Sequence, residues 1–256
     1  MAEFVKQRPP PVPGSIAEEL DIFGNEVRFY REIAPDLAVR VAQCYQAETG
    51  ADGTLLVLED LSGWQAGADP AAAALVLSQL HRSWAGIAPV RWPWLRPVGA
   101  AADLVGALYD QTWPALADRQ DLTGAVRDLG SRLTGQVAAS EYAIAGAGPL
   151  TLIHGDASAA NMRTSGSGEI ALLDWEDVSA APGITDLAWL LVSSAEPARW
   201  PEVAAAYGTT GGLGAVLPAV AVQGLLSLAD HPVGSPEAAG WIARLGRAAD
   251  YLRRAT

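Results

Sequence analysis

Two kinds of hydrophobic pattern divide the chain. Before residue 58, apolar runs at 39–47 and 54–58 predict two strands joined by a turn, preceded by a helical pattern that ends at Pro35. From Asp69 onward helical patterns dominate, and Pro70 is well placed for the first helical position. The pattern therefore predicts a small α+β unit followed by a mainly helical one. Further helices are predicted near 100–117, 121–139, 184–194, 201–208, 213–230 and 236–254.

One stretch interrupts the helical half with short apolar strands on either side of a polar loop. Asp156 and Asn161 lie five residues apart on this loop, and Asp174 ends the next hydrophobic run. Two carboxylates and an amide at strand ends suit Mg²⁺-assisted phosphoryl transfer, in which one carboxylate meets the acceptor hydroxyl and the other groups hold metal. An Asx-rich turn that only ties two strands together is the alternative.

Composition and charge narrow the class of protein. Half of the 256 residues are hydrophobic and 18% are charged, which is typical of a globular protein. The first residues contain no apolar signal core, and no apolar run is long enough to predict a membrane span. The net charge of -12 disfavours nucleic acid and anionic membranes as partners and favours cationic small molecules. A single cysteine excludes an internal disulfide, which suits the cytoplasm.

Three ordered motifs resemble the aminoglycoside phosphotransferase and choline kinase-like family of small-molecule kinases. The motifs are His154-Gly-Asp156-x4-Asn161, Leu172-Leu-Asp174-Trp-Glu and Gly183-x-x-Asp186-Leu-Ala. Their order and spacing make the resemblance specific. It implies an α+β, protein-kinase-like fold with two lobes. The implied boundaries are an N-lobe at 1–58, a hinge at 59–63 and a helical C-lobe at 64–256 that carries the catalytic loop at 151–175.

The resemblance implies a role for each matching residue of the nucleotide site. Asp156 would be the catalytic base or would orient the acceptor hydroxyl, and Asn161 and Asp174 would ligate Mg²⁺. Lys6 would bind the phosphates of ATP and would be held by an ion pair with Glu26. The alternatives are that Lys6 is a solvated lysine and that another nearby glutamate takes the place of Glu26.

The resemblance also implies contacts around this core. Backbone groups of Glu59 and Leu61 would bind adenine at the hinge, the alternative being a polar linker. His154 and Asp186 would support the catalytic loop without taking part in the chemistry. Side chains that follow the metal aspartate are speculative contacts to a cationic acceptor, the alternative being a solvated acidic loop. They are Trp175, Glu176 and Asp177.

One departure from the family concerns the small lobe. In the family, two strands joined by a phosphate-covering loop precede the lysine strand, but only five residues precede Lys6. We therefore expect about three strands with an exposed edge, either because the sequence starts too late or because the kinase is truncated. Two copies could pair through this edge as a homodimer.

Three functions follow from these observations. The leading hypothesis is an ATP- and Mg²⁺-dependent phosphotransferase acting on a hydroxyl of an aminoglycoside-like compound, another antibiotic or an amino alcohol. The second is a catalytically impaired, pseudokinase-like protein that binds nucleotide or acts as a scaffold. A metal-dependent phosphohydrolase ranks last, because two bridging metals would need more His and Asp ligands than the motifs supply.

Overall fold

The computed structural model describes residues 2–255, which form strands and helices in an α+β arrangement, as predicted. The strands are β1 (Glu3–Arg8), β2 (Arg40–Val41), β3 (Cys44–Gly50), β4 (Gly53–Glu59), β5 (Gln65–Ala66), β6 (Arg96–Pro97), β7 (Leu150–Ile153), β8 (Met162–Thr164), β9 (Ile170–Leu172) and β10 (Ser179–Pro182). The α-helices are α1 (Ile16–Glu19), α2 (Ile22–Arg28), α3 (Pro70–Trp84), α4 (Ala88–Arg91), α5 (Ala102–Ala117), α6 (Gly124–Leu133), α7 (Val137–Ala143), α8 (Ile184–Ser193), α9 (Trp200–Tyr207), α10 (Leu213–Ala229) and α11 (Pro236–Ala255).

The small lobe is built on a three-stranded antiparallel sheet with the order β1-β4-β3. Alternation along β4 buries Leu56 and Leu58 against the helical segment that lies between β1 and β2 in the chain. Strand β1 lies at the edge and leaves Phe4 and Val5 more than half exposed. Pairing of two copies through this edge stays a prediction.

The apolar run at 39–47 does not form the single strand that its pattern predicts. The chain changes sheets at Ala42, so that β2 pairs in parallel with β9 and β3 pairs with β4. The backbone N–H of Gln43 donates to the Glu59 carboxylate at 3.1 Å, which replaces a strand hydrogen bond at the change. Tertiary contacts therefore override a local strand pattern here.

The helical segment between β1 and β2 is also divided. Asp21 has a left-handed backbone (φ 49°) that separates α1 from α2, and α2 continues as a π-helical turn at Phe29–Ile33. This turn buries Phe29, Tyr30 and Ile33. Its burial fixes the preceding turn, on which Glu26 lies, against the sheet.

Two small sheets carry the polar loop at the base of the cleft between the lobes. One has the order β6-β10-β7 and the other β2-β9-β8-β5. Helix α8 packs behind the loop against α10 and α11, with Leu187, Leu190 and Leu191 almost fully buried. The hairpin of β8 and β9 places Asn161 and Asp174 at neighbouring strand ends. Among the described residues, no helix combines the length and hydropathy that a membrane crossing requires.

Candidate active site

Asp186 fixes the backbone of the catalytic loop. It lies in the first turn of α8, is 1% exposed, and accepts hydrogen bonds from the backbone N–H groups of His154 (2.8 Å) and Gly155 (3.0 Å). The Nε2 atom of His81 lies 3.0 Å from the same carboxylate. Burial alone would raise the pKa of Asp186, but the hydrogen bond and charge of His81 and the donors at His154 hold it below its usual value. An ionised carboxylate therefore ties α8 to the loop.

Two motif glycines are required by close approach. Gly155 has φ 89°, and a Cβ atom there would lie 2.2 Å from the carbonyl oxygen of Asp177. A Cβ atom on Gly183 would lie 2.5 Å from the His81 ring. Only glycine lets these backbones approach the neighbouring groups without a shift.

His154 is fully buried and joins two parts of the site. Its Nε2 atom lies 2.8 Å from the carbonyl oxygen of Leu173, and its Nδ1 atom accepts from the backbone N–H of Asp156 at 3.3 Å. A carbonyl can only accept, so Nε2 carries a proton in this arrangement. His154 is thus positioned to hold the loop rather than to exchange protons.

Both carboxylate oxygens of Asp156 are held by side chains. The amide nitrogen of Asn161 donates to Oδ2 at 2.8 Å, and the indole N–H of Trp189 donates to Oδ1. The Asn161 amide also donates to the Asp156 carbonyl at 3.1 Å, which leaves its side-chain oxygen without a hydrogen bond in the described part of the chain. Trp189 was missed from sequence, although it follows Asp186 by one helical turn and so shares its face of α8.

Lys6 lies among three carboxylates. Its Nζ atom is 2.7 Å from oxygens of Glu26, Asp174 and Glu176. Burial lowers the pKa of Lys6, but the charge of Glu26 and the hydrogen bonds to Asp174 and Glu176 outweigh it and hold the pKa above its usual value. Burial raises the pKa of Glu26 to about 7 against the opposing effect of Lys6. The solvated-lysine alternative does not describe this ion pair.

A cleft of about 580 Å³ opens beside Lys6, between the small lobe and the catalytic loop. Asn161 and Asp174 line its base, and the 59–62 segment lines its wall. The backbone N–H of Glu59 is already used, donating to the Gln43 carbonyl at 2.7 Å. The N–H of Leu61 has no hydrogen bond within the described residues, so Leu61 is the hinge donor left for a ligand.

A second pocket, of about 330 Å³, lies on the other side of Asp156. Among its lining groups, Arg96 Nη1, Glu141 Oε1 and Thr185 Oγ1 are buried without hydrogen-bond partners in the described residues. Arg96 Nη2 lies 3.3 Å from the Asp177 carboxylate. Burial raises the pKa values of Glu141 and Asp177, while Arg96 opposes the shift in both. We call this the acceptor pocket because the acceptor substrate is proposed to bind there.

Comparison with protein-family models identifies the family of the chain. The model of the phosphotransferase enzyme family matches residues 3–222, most of the chain. The chain belongs to the phosphotransferase enzyme family. No curated protein sequence matches this phosphotransferase significantly.

Solved structures share the fold of this phosphotransferase. The choline kinase LicA from Streptococcus pneumoniae is 17% identical, with a TM-score of 0.57 and coverage of 98% of this chain and 86% of that one. The aminoglycoside phosphotransferase APH(3'')-Id from Streptomyces rimosus, solved with ADP and streptomycin, is 18% identical with a TM-score of 0.60, covering 87% and 86%. A microcompartment-associated aminopropanol kinase is 17% identical with a TM-score of 0.57, covering 98% and 84%. These likenesses confirm the protein-kinase-like fold.

The three side chains that follow Asp174 in this phosphotransferase lie in different surroundings. Trp175 is fully buried, stacked on Phe29 at 4.0 Å, so its predicted contact with an acceptor is wrong. Glu176 contacts Lys6 and Arg8 beside the cleft, and its predicted role toward an acceptor stays a prediction. Asp177 alone lines the acceptor pocket.

Arg8 is a further cleft residue that the sequence did not indicate. It follows Lys6 by two positions on β1, so alternation places both side chains on the face turned to the cleft. Its guanidinium is 2.5 Å from Glu176. The signal available in the sequence was the pair of basic residues, Lys6 and Arg8, at alternate positions of a strand.

Proposed function

We propose that this protein transfers the γ-phosphoryl group of Mg-ATP to a hydroxyl group of a small cationic molecule. The position of Asp156 carries the proposal. Asp156 lines the acceptor pocket, and its carboxylate is bonded at 2.8 Å to Asn161, which lines the larger cleft. A carboxylate at the junction of two cavities is suited to align an acceptor hydroxyl with a phosphate group.

The groups in the cleft suit a nucleotide and magnesium. Asp174 and Asn161 offer carboxylate and amide oxygens, the ligand type that Mg²⁺ prefers. Carboxylate oxygens of Glu26, Asp174 and Glu176 lie within 4.8 Å of one another. The predicted magnesium ligand Asp174 therefore has two further carboxylates beside it. Bound magnesium would neutralise phosphate charge during transfer.

The chain's own groups have separate tasks in this proposal. Lys6 stays protonated and offers its ammonium group to phosphate oxygens, and the N–H of Leu61 offers a hydrogen bond to the base. Asp156 orients the acceptor hydroxyl and accepts its proton. His154 and Asp186 hold the loop so that this alignment is present before the ligands arrive.

The acceptor pocket favours a cation. Its lining includes the carboxylates of Asp156, Asp177 and Glu141 but only one cationic side chain, Arg96. The ring of Trp189 also lines the pocket, and aromatic rings attract ammonium groups. A volume of about 330 Å³ suits a compact amino alcohol or one ring of an aminoglycoside. Two of the structures with this fold are named for choline and aminopropanol, which are cationic alcohols.

A nucleotide-binding protein without transfer activity is the second candidate, and the surroundings of Lys6 favour it. Lys6 and Asp174 lie 2.7 Å apart, so these two groups satisfy each other without a ligand. Productive binding has to separate them so that each can serve the nucleotide. A protein that binds nucleotide without this separation would not transfer phosphate.

Radiolabelled phosphate transfer separates the candidates. The purified chain is incubated with γ-labelled ATP and amino alcohols, aminoglycosides or uncharged sugars, with and without Mg²⁺, while calorimetry measures nucleotide binding. We expect labelled product with an amine-containing acceptor and Mg²⁺. Mg-ATP binding without product across the panel would support the second candidate, and absence of both binding and product would overturn both.

A further inference from the structure

Trp189 holds the carboxylate of Asp156, which lines the acceptor pocket and is hydrogen-bonded to Asn161 of the cleft. Its indole N–H donates to Oδ1 of Asp156, while Asn161 donates to Oδ2 at 2.8 Å. The two donors come from different elements, α8 and the loop before β8, so together they fix the rotation of the carboxylate plane. An ionised carboxylate can accept about four hydrogen bonds, so an acceptor hydroxyl still has room to bind.

Helix α8 therefore constrains the catalytic loop twice. Asp186, in the first turn, accepts hydrogen bonds from the loop backbone, and Trp189, one turn later, donates to the loop side chain. Trp189 is itself supported, since its ring centroid lies 5.8 Å from that of Trp241 on α11. Trp241 directs its own N–H to His231 at 3.2 Å, away from Asp156.

We propose that Trp189 is a positioning residue, whose indole N–H orients the Asp156 carboxylate toward the acceptor hydroxyl. The inference rests on the proposed transfer reaction and deepens it. Without the N–H, only Asn161 would hold the carboxylate, which could then rotate away from the line of transfer. Small misplacements of a reacting group cost large factors in rate.

Two substitutions separate the hydrogen bond from the packing. Trp189→Phe keeps an aromatic ring but removes the N–H. Trp189→His loses the six-membered ring but keeps a ring N–H, because Nε2 of histidine has the same bonded distance from Cβ as Nε1 of tryptophan. Turnover, KM for both substrates and melting temperature are measured for each variant at pH 8, where the imidazole is neutral.

We expect Trp189→Phe to lower kcat by roughly 10- to 100-fold with little change in either KM. Trp189→His should lose less kcat although it loses more packing and melts at a lower temperature. Trp241→Phe is the matched control, since it removes an indole N–H from the same aromatic pair and should keep turnover close to the wild type. Wild-type kcat in Trp189→Phe, or lower kcat in Trp189→His than in Trp189→Phe, would overturn the inference.

An NMR measurement tests the hydrogen bond independently of turnover. The indole N–H resonance of Trp189 is assigned by its loss in Trp189→Phe and should lie downfield in the wild type. In Asp156→Ala it should move upfield, because the charged acceptor is gone. An unmoved resonance would overturn the inference, whereas a wild-type protein that transfers no phosphate would overturn the proposed function.

Discussion

The two cavities that the Asp156–Asn161 hydrogen bond connects differ in how their charged side chains are paired. In the nucleotide cleft, Lys6 lies 2.7 Å from three carboxylates. In the acceptor pocket, polar atoms of Arg96 and Glu141 are buried without partners in the described residues. Unpaired buried polar groups cost stability unless a ligand satisfies them. A ligand in the cleft has to rearrange the pairs around Lys6, and Arg8 Nε and Tyr30 Oη are also buried there without partners in the described residues. A ligand in the pocket meets no comparable cluster of ion pairs among the described residues and can supply missing partners directly.

The largest effect is expected at Asp156, which connects the two cavities through its hydrogen bond to Asn161. Asp156→Asn removes the proton acceptor but keeps the shape, so we expect kcat to fall by about a thousandfold or more. Titration calorimetry should give an almost unchanged Kd for Mg-ATP, because Asp156 does not line the cleft. Wild-type turnover in this variant would show that Asp156 does not accept the proton of the acceptor hydroxyl.

Substitution of Asp186, which holds the backbone of the catalytic loop, should disturb the geometry of both cavities. Asp186→Asn replaces an ionised acceptor with a neutral amide, whose NH₂ group cannot pair with the N–H donors of His154 and Gly155. We expect a loss of about 3 kcal/mol in the free energy of unfolding, measured in urea. Asp103→Asn, on the exposed face of α5, is the matched control and should change it by less than about 0.5 kcal/mol.

This loss has a defined pH dependence. The pKa of Asp186 is lower in the folded protein, so its contribution is complete above the ordinary carboxyl pKa and disappears as pH falls through the folded-state pKa. The difference between wild type and Asp186→Asn should therefore shrink in acid. A difference that grows in acid would contradict an ionised anchor.

A smaller effect should be confined to the cleft. Lys6→Met removes a charge-assisted contact to phosphate, so we expect KM for ATP to rise about 10- to 100-fold. The KM for the acceptor should not change, because Lys6 does not line the acceptor pocket. Steady-state kinetics with each substrate varied in turn would reveal the contrast. Equal rises in both KM values would mean that the cavities are coupled through Lys6.

The smallest effect should be confined to the pocket. Glu141→Gln should raise KM for a cationic acceptor by about tenfold and leave KM for ATP unchanged. In the wild type, KM for this acceptor should fall as pH rises through the elevated pKa of Glu141, since ionisation restores the negative charge that attracts the cation. The Glu141→Gln variant should lose the part of this dependence that Glu141 contributes and keep the part that comes from Asp177, whose pKa is also raised. Glu237→Gln, on an exposed part of α11, should retain the full dependence.

The cleft was largely predictable from sequence because its chemistry is local. Asp156, Asn161 and Asp174 lie within 19 consecutive residues, on segments that directly follow or precede β7, β8 and β9. Long helices such as α8 and α10 were also predictable, since their periodicity extends over several turns. Trp175 was misassigned because its neighbours are acidic, whereas its side chain is fully buried and stacked on Phe29, a tertiary contact that its neighbours in the sequence do not indicate.

The acceptor pocket was not predictable for a physical reason. Arg96, Glu141 and Thr185 lie on β6, α7 and α8, and no local spacing indicates that these elements meet. The parallel pairing of β6 with β10 brings Arg96 beside Ser179. Such a pocket depends on tertiary packing, so it can be recognised only from a three-dimensional structure.

Asp174 has a consequence for engineering. Its backbone is left-handed (φ 63°), a conformation that costs most side chains about 1 kcal/mol and glycine almost nothing. A mutant library sorted only for heat resistance should therefore retain Asp174→Gly, because the relaxed backbone offsets the lost contact with Lys6, which keeps Glu26 and Glu176 as partners. Such clones would lose the carboxylate proposed to hold magnesium. Selection for robustness and selection for turnover would then pull this single position in opposite directions, so a sorting scheme for this enzyme needs a catalytic readout in every round.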